Sequence, residues 1–477
     1  MKSKYPFFYN KESIELITEF EKGVSGKIKS RSSYLNNLEN VDLKFENNEI
    51  ILDYKKINKK TKKRIKWDDN RVFHNISLIT PNYNLFIEKF YSWGWFTGFT
   101  SFIYSKGFKK DSKNYFKFII PLKKEVTFRF QLEEFSFESD LKKWSRVASS
   151  IVSENEKFFL LQDNIQTKIK KKHYLIIESN KKQSYLEFID KVFALRVAFG
   201  YITGNFIGGK AFVFYYNNKE RKKFNGFICM SLRKDMKGFY QPINSNPYAW
   251  LYSKERKKVE AIRKEKNLRT LTKEEFSKLY SVCLKNDKFL SILLLMIETG
   301  RNSLLISPIT YFTALEQLSN IIFIEKPTIP ISDTKDADKL KNELLNIVDK
   351  FEKDNLEKDY DLSPIRKRIQ NINQKTNNDK LISCFKKLDV ELLKEDLKVI
   401  KSRNILMHGN FPSYRKKKNR SIKDKDLDLY YTSIRIYTLI NILILKYIGY
   451  DNYVINFSKI YEKDTEYILK EDFYRRV

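Results

Sequence analysis

The sequence predicts an α+β chain in two domains. A β-rich, sandwich- or barrel-like domain is expected over residues 1–265, followed by an all-α helical bundle over 266–477. Three observations carry this prediction. Apolar and polar residues alternate with period two from Val41 to Glu46 and return at Glu49–Tyr54, the pattern of half-buried strands. Beyond about residue 270 the apolar spacing changes to three and four, which keeps one stripe on one helical face. Between the two patterns lie Pro242, Pro247 and the charged run Lys254-Glu255-Arg256-Lys257-Lys258, which reads as a junction.

Taken in order, residues 11–22 predict a short helix. Val41–Glu46, the turn Asn47-Asn48 and Glu49–Tyr54 predict a hairpin. The run from Lys55 to Lys66 is mostly basic and reads as a solvated hairpin tip, with a nucleic-acid contact as the alternative. Further strands are expected at Phe73–Leu78, Phe99–Tyr104, Tyr115–Ile120, Val126–Leu132 and His173–Glu178, rich in Phe, Tyr, Ile and Val. Trp93-Gly94-Trp95-Phe96 is either a stacking platform for bases or sugars, or a set of core and corner aromatics. Ser184 and Glu187 form a capping box, opening a helix to about Phe199 with Gly200 after it.

Gly204-Asn205-Phe206-Ile207-Gly208-Gly209-Lys210-Ala211 nearly matches a phosphate-binding loop. It lacks the Ser or Thr that would hold magnesium, and it lies between a helix and the strand-like run Phe212–Tyr216. A glycine turn is the better reading. The acidic pairs Asp68-Asp69 and Glu133-Glu134 lack a third partner for a metal-dependent nuclease.

In the back half, Thr272 and Glu275 form a second capping box, opening a long helix to about Glu298 with Gly300 ending it. Ser307-Pro308 reads as the start of the next helix, through about Phe323, with Glu316 beside its apolar face. Glu316 is either a solvated carboxylate or a site residue that orients an arginine. Residues 324–337 read as a proline-marked linker, and helices follow at about 338–353, 364–374 and 378–386. Then comes a helix with Asp389 as N-cap and Val390, Leu393, Leu397 and Ile400 as its apolar stripe. The next positions of that stripe are Asn404 and His408, and a core stripe that ends in an amide and an imidazole is a local inconsistency of the kind that marks working sites. Gly409 and Pro412 stop the helix. Arg415, Lys416, Lys417, Lys418 and Arg420 form the basic cluster nearest this motif and are candidate contacts for an RNA backbone, or simply a solvated loop. A last helix at about 425–448 is apolar nearly all round at Ile436–Leu445, so it is expected at the centre of the bundle or at its dimer interface.

Composition bounds the function. Lys and Arg number 91 against 59 Asp and Glu, a formal charge of +32, which argues for a polyanionic partner, nucleic acid ahead of a membrane surface. The lysines are spread along the chain, so local clusters carry more information than the total. Cys229, Cys283 and Cys384 are few and far apart, which suits a reducing cytosol. With His74, His173 and His408 as the only histidines, no Cys/His metal spacing exists, and neither a metal nor a cofactor is expected. The N-terminus lacks an apolar signal core, and the longest apolar runs, Phe289–Ile297 and Ile436–Leu445, are too short to span a bilayer. A cytoplasmic protein without a membrane partner is expected.

Arg403 and His408 combine a permanent forked phosphate donor with a side chain that titrates near neutrality. Such a pair can activate a ribose 2′-hydroxyl and steady the phosphate it attacks. Taken alone, the same residues also fit a surface Arg beside a helix-capping His. Arg403-Asn404-x-x-x-His408 at the end of a late helix resembles the HEPN superfamily, and Tyr311-Phe312-Thr313-Ala314-Leu315-Glu316-Gln317-Leu318 resembles the Leu-Glu-bearing helix of its Apea-like branch. The motifs cover residues 268–450, and the front half matches that branch by layout only. The resemblance implies a HEPN-like bundle, a metal-independent endoribonuclease, a homodimer, and a role in bacterial toxin or anti-phage (abortive infection) defence. By it, Arg403, Asn404, His408 and Glu316 carry over as site residues. His408 is then the general acid/base, Arg403 the phosphate clamp and Asn404 an orienting amide, and cleavage leaves a 2′,3′-cyclic phosphate. The front domain would sense a phage-derived or cellular trigger. The alternative is a non-catalytic RNA-binding or scaffold protein on the same fold.

Overall fold

A computed structural model of the chain describes residues 5–29, 41–46, 49–54, 72–93, 97–145, 147–167, 170–237, 240–247, 256–300, 303–323, 330–373, 377–415 and 419–477. The basic run 55–66, the turn at 47–48, the pair Asp68-Asp69, residues 94–96 of the Trp cluster and Lys416–Lys418 lie outside the described residues. The chain forms two compact units. The first comprises Met1–Asn302, Ile448–Ile455 and Tyr474–Arg476, and the second Ser303–Tyr447, Asn456–Phe473 and Val477.

In chain order the first unit opens with β1 (Phe7–Phe8), α1 (Lys11–Lys22), β2 (Val24–Lys29), β3 (Val41–Glu46), β4 (Glu49–Tyr54), β5 (Val72–Ile79), β6 (Asn84–Trp93), β7 (Thr97–Thr100) and β8 (Phe102–Ser105). It continues with β9 (Tyr115–Leu122), β10 (Phe137–Ser139), β11 (Lys142–Ser145), β12 (Ala148–Ser153), β13 (Glu156–Gln166), β14 (Lys171–Ser179), α2 (Tyr185–Thr203), β15 (Asn205–Phe206), β16 (Lys210–Tyr216), β17 (Gly226–Ser231) and β18 (Met236–Lys237). Helices α3 (Arg256–Glu265), α4 (Lys273–Lys285) and α5 (Asp287–Thr299) complete its main body.

The β-rich front half is built on one antiparallel system. Strands β6, β5, β2, β3, β4 and β7 pair in that order, and β7 pairs back onto β6, so six strands close into a barrel. β6 is long enough to do two jobs. Its far end closes the barrel through Tyr91–Phe99, while its near end pairs Leu85–Ile87 with β8. From β8 an open sheet runs through β17, β16, β9, β14 and β13 to β12. Closure removes free edges from the barrel strands, and it requires tight bends. Two glycines supply the room. A Cβ at Gly26 would sit 2.5 Å from the Ile79 carbonyl oxygen, and one at Gly98 would overlap the Phe90 ring in the barrel core. Gly98→Ala is therefore expected to destabilise this unit by about 1–3 kcal/mol, the usual cost of overpacking, read as a lowered midpoint in chemical denaturation.

Helix α2 opens with the expected capping box, with the Glu187 amide on Ser184 Oγ at 3.3 Å and the Ser184 amide on Glu187 Oε2 at 2.9 Å. It does not stop at Phe199. Gly200 is interior, where Phe206 passes so close that a Cβ would sit 3.1 Å from its Cα, and the left-handed cap is Gly204 at φ 67°. The segment 126–132, expected as a strand, is irregular, and Phe99–Tyr104 is split into β7 and β8. Strands β2, β6, β12, β13 and β17 carry weaker period-two patterns and were not expected. Lys117 on β9 is fully buried against Glu178 of β14 at 3.0 Å, and its ammonium also donates to Asn10 Oδ1 at 3.0 Å. This buried charge pair pins the N-terminal segment to the sheet face.

The capping box at Thr272 and Glu275 also forms. The single long helix expected there is broken at Asn286, whose extended backbone ends α4 and whose side chain accepts from the Phe289 amide at 3.0 Å to cap α5. Both helices belong to the first unit. α4 packs on the edge strand β12, where Val152 N donates to Ser277 Oγ at 3.0 Å, and α2 packs on both. The compact body thus extends past residue 265. The segments around β19 (Tyr453–Ile455) and β20 (Tyr474–Arg476) return to the same body.

The second unit is helical: α6 (Ile306–Ile322), α7 (Thr334–Asp354), α8 (Ser363–Gln370), α9 (Asn377–Lys387), α10 (Lys394–Lys401), α11 (Arg403–Met407) and α12 (Ile422–Tyr447), with two short turns of helix in 457–465. Ser307 is not the cap of α6. The helix already begins at Ile306, and Ser307 Oγ donates to the Ser303 carbonyl at 3.0 Å. α12 is central, as its composition predicts, with Ile436, Leu439, Ile440, Ile442, Leu443, Ile444 and Leu445 fully buried and α6 and α10 packed along it. At about 1.5–3 kcal/mol for each fully buried aliphatic side chain, this helix supplies much of the unit's hydrophobic stabilisation.

Candidate functional site

The helix that carries the motif is built differently from the single helix the periodicity predicts. Asp389 is not its N-cap. It follows α9 in a left-handed conformation at φ 54°. The helix begins at Lys394, where Asp396 Oδ2 accepts from the Leu393 amide at 2.8 Å. It then breaks at Ser402 and restarts as the short α11. The break is held by hydroxyls. Ser402 Oγ donates to the Val399 carbonyl at 2.7 Å, and Tyr414 OH lies 2.9 Å from Ser402 Oγ and 2.8 Å from Thr432 Oγ1 of α12. Burial pushes the Tyr414 phenol up to about 12, so it stays protonated and remains a hydrogen-bond donor. The buried positions are Asp396, Val399, Ile400, Ser402 and Leu406, whereas Asn404 and His408 are exposed. Gly409 does adopt the left-handed cap, at φ 75°, with the Asn410 amide on the Ile405 carbonyl at 3.0 Å and Pro412 beyond.

Arg403, Asn404 and Glu316 are brought together. Glu316 projects from α6, and its Oε1 accepts from Arg403 Nε in a close ion pair. Arg403 Nη1 donates to Asn404 Oδ1 at 2.9 Å. The guanidinium side chain is only 13% exposed, so it is fixed from two sides, while its other N–H groups have no partner among the described residues. An arginine so held can donate its remaining N–H groups to an oxyanion. His408 follows one and a half turns later at the end of α11, exposed, with no side-chain partner among the described residues. Glu316 thus pairs with Arg403 and, on the reading of Arg403 as a phosphate clamp, would position it. Glu316→Gln is expected to lower the kcat of any reaction at Arg403 by up to about 10²-fold with KM little changed, the effect of misplacing a reacting group, and Glu316→Asp should restore part of it. With Glu316 a third exposed, the pair contributes about 1 kcal/mol to stability, so the variants should unfold near the wild-type midpoint.

The basic cluster is not a free charged surface at its arginines. Arg415 donates to Glu466 Oε2 at 3.2 Å and to the Thr465 carbonyl at 2.6 Å, and lies 4.5 Å over the Tyr467 ring. Arg420 donates to the Pro412 carbonyl at 2.5 Å and pairs closely with the buried Asp428. Both guanidiniums therefore have partners within their own unit, and Lys416–Lys418 of the same cluster lie outside the described residues.

A second ionic cluster went unseen in the sequence. Arg435, in the apolar middle of α12, is fully buried and donates to Asp396 Oδ1 at 2.6 Å and to both Glu471 oxygens at 2.7 and 2.8 Å. Its neighbouring carboxylates outweigh burial and hold its charge on. The network fastens α10, directly before the Arg403 turn, to α12 and to the 456–473 segment. An arginine inside an apolar run was the available signal.

In the first unit the Gly204–Ala211 turn uses its own amides internally. Gly208 N donates to Asp235 Oδ1 at 2.7 Å and Gly209 N to the Arg233 carbonyl at 2.9 Å, which leaves neither for a phosphate. Among the described residues no group of three or more His, Cys, Asp or Glu is placed to hold a metal ion, and no helix is long and apolar enough to cross a membrane. No protein-family model, curated protein or solved structure matches this chain.

Proposed function

We propose that the second unit is a HEPN-like endoribonuclease that cleaves RNA by 2′-hydroxyl attack without needing a metal. One observation carries the reading: Arg403 is locked by Glu316 and Asn404 with N–H groups to spare, one and a half helical turns before an exposed imidazole. In this reading Arg403 binds the scissile phosphate, and His408 takes the 2′-hydroxyl proton and returns a proton to the 5′-oxygen. Bond making at phosphorus is then balanced by loss of the 5′-hydroxyl, leaving a 2′,3′-cyclic phosphate. RNA as partner, pairing of two copies, a cytoplasmic setting and a toxin or anti-phage role belong to the same reading, and the β-rich first unit is assigned the sensing of a trigger.

The second reading, a non-catalytic RNA-binding or scaffold protein, is favoured by one feature. No described residue holds the His408 ring in a fixed orientation, whereas catalytic imidazoles are normally oriented by a partner. The experiment is an RNA cleavage assay in EDTA with wild type and His408→Ala, with product ends read by mass spectrometry. Cyclic phosphate ends lost in the variant support the nuclease. Salt-dependent binding that survives the substitution, without cleavage of any RNA tested, supports the scaffold.

A further inference from the structure

Three loops of the first unit leave the same end of its open sheet. They join β8 to β9 (106–114), β14 to α2 (180–184) and β16 to β17 (217–225). The strand registers place their roots side by side. Glu178 of β14 lies opposite Lys117 of β9, Tyr115 of β9 opposite Tyr216 of β16, Tyr215 opposite Gly226 of β17, and Ile228 opposite Tyr104 of β8. The loops are also tied to their surroundings and to one another. Asn114 and Gln183 exchange backbone hydrogen bonds at 2.9 and 3.0 Å, and the Tyr185 amide donates to the Lys110 carbonyl at 3.0 Å. Arg221 donates to Glu178 at 3.1 Å, and Lys182 and Arg221 each lie 5.5 Å from the centre of the Tyr115 ring. Segments distant in sequence thus form one held surface.

This surface concentrates the charge of the chain. The three loops hold ten Lys or Arg against Asp111 and Glu220, an excess of eight in 23 residues of a chain whose total is +32. All ten basic residues except Lys110 and Arg221 are exposed. The nearest carboxylates outside the loops are already engaged: Glu88 with Lys110 at 2.8 Å, Glu154 with Lys285 at 2.5 Å, and Glu187 with the Ser184 amide at 2.9 Å. Lys106, Lys109, Lys219 and Lys223 have no ion pair among the described residues. Like charges gathered on a held frame repel one another, and a polyanion relieves that repulsion. At about 4.8 Å between strands, the five strand ends span roughly 19 Å, long enough to face several phosphates of one nucleic-acid strand. The rings of the loops are turned inward, Phe108 onto Tyr185 and Tyr215, and Phe224 onto Phe214 and Phe227. They are not presented for insertion into a bilayer, so nucleic acid fits this surface better than lipid. We propose that these three loops form a binding surface for the phosphate backbone of RNA, indifferent to base sequence. The inference uses neither Arg403 nor His408 and does not rest on the nuclease reading.

Fluorescence anisotropy of the full-length protein with a labelled, mixed-sequence 2′-O-methyl RNA tests it. This probe has no free 2′-hydroxyl, so it survives whether or not the protein is a nuclease. Wild type should bind it, and binding should weaken steeply as salt rises. Lys109→Gln, Lys181→Gln and Lys223→Gln together, one from each loop, should weaken binding by about tenfold or more and flatten the log–log salt slope by about 2. The same loss of charge elsewhere, through Lys335→Gln, Lys339→Gln and Lys350→Gln on α7, should leave affinity and slope close to wild type. All six lysines are exposed, so both variants should keep the wild-type unfolding midpoint. Four results would each overturn the proposal: no binding by wild type, equal losses in the two variants, a loop variant that binds like wild type, or binding to phosphatidylserine vesicles in place of RNA. His408→Ala should bind this probe as wild type does, so failure of the nuclease reading and failure of this one are told apart.

Discussion

Asp396→Ala should lower the unfolding free energy of the helical unit by about 3–5 kcal/mol, the cost of removing one partner from a buried charge pair. Asp396 and Arg435 are both fully buried, and Asp396 Oδ1 accepts from Arg435 Nε at 2.6 Å. Glu471 would remain as a bidentate partner, but the Nε side would face apolar packing with no acceptor. The arginine does not escape by losing its proton, since a guanidinium stays charged across the ordinary pH range and Glu471 remains beside it. Asp396 also caps the start of α10, so the Ala variant loses a helix cap as well. Urea denaturation reads the loss directly. Replacing the pair together, Arg435→Met with Asp396→Leu, should cost far less, because apolar groups of similar volume remove the desolvation penalty with the ion pair. A small effect of Asp396→Ala would show that Glu471 alone holds Arg435.

His408→Ala is the opposite case, a large effect on chemistry with none on folding. A positioned acid/base group contributes about 10²–10⁴-fold, so RNA cleavage should fall by that factor. The side chain is exposed and has no partner among the described residues, so the unfolding midpoint should stay within about 0.5 kcal/mol of wild type. Equal cleavage by the two proteins would remove His408 from the site and leave Arg403 as an ion-paired structural residue.

The two substitutions separate the features that a linear reading reaches from those it does not. Period-two alternation was enough for β3 and β4, enrichment in Phe, Tyr, Ile and Val for β5, β9 and β14, and capping boxes at Ser184 and Thr272 marked the true starts of α2 and α4. These signals are local: a cap is satisfied within three residues, and a half-buried strand shows its burial in its own spacing. Asn404 and His408 were singled out as the end of an apolar stripe, but the helix breaks at Ser402 and both are exposed, so the stripe does not reach them. The strand β2 was not legible, because glycine takes the inward position 26 between Val24 and Ile28, where a Cβ would sit 2.5 Å from the Ile79 carbonyl oxygen, so the apolar alternation is interrupted in the sequence though not in the burial.

Local sequence thus determined the α+β class, the capping boxes at Ser184 and Thr272, the central place of α12 and the candidate Arg403–His408 motif. Tertiary structure decided the rest. The pairing of β4 with β7, the break at Ser402 held by Tyr414 and Thr432, the Glu316 ion pair on Arg403, and the Asp396–Arg435–Glu471 network all join residues a dozen or more positions apart. The physical reason is the same in each case. A buried polar group must find its partner wherever the fold brings one, and the spacing of residues along the chain carries no record of a partner that lies across it.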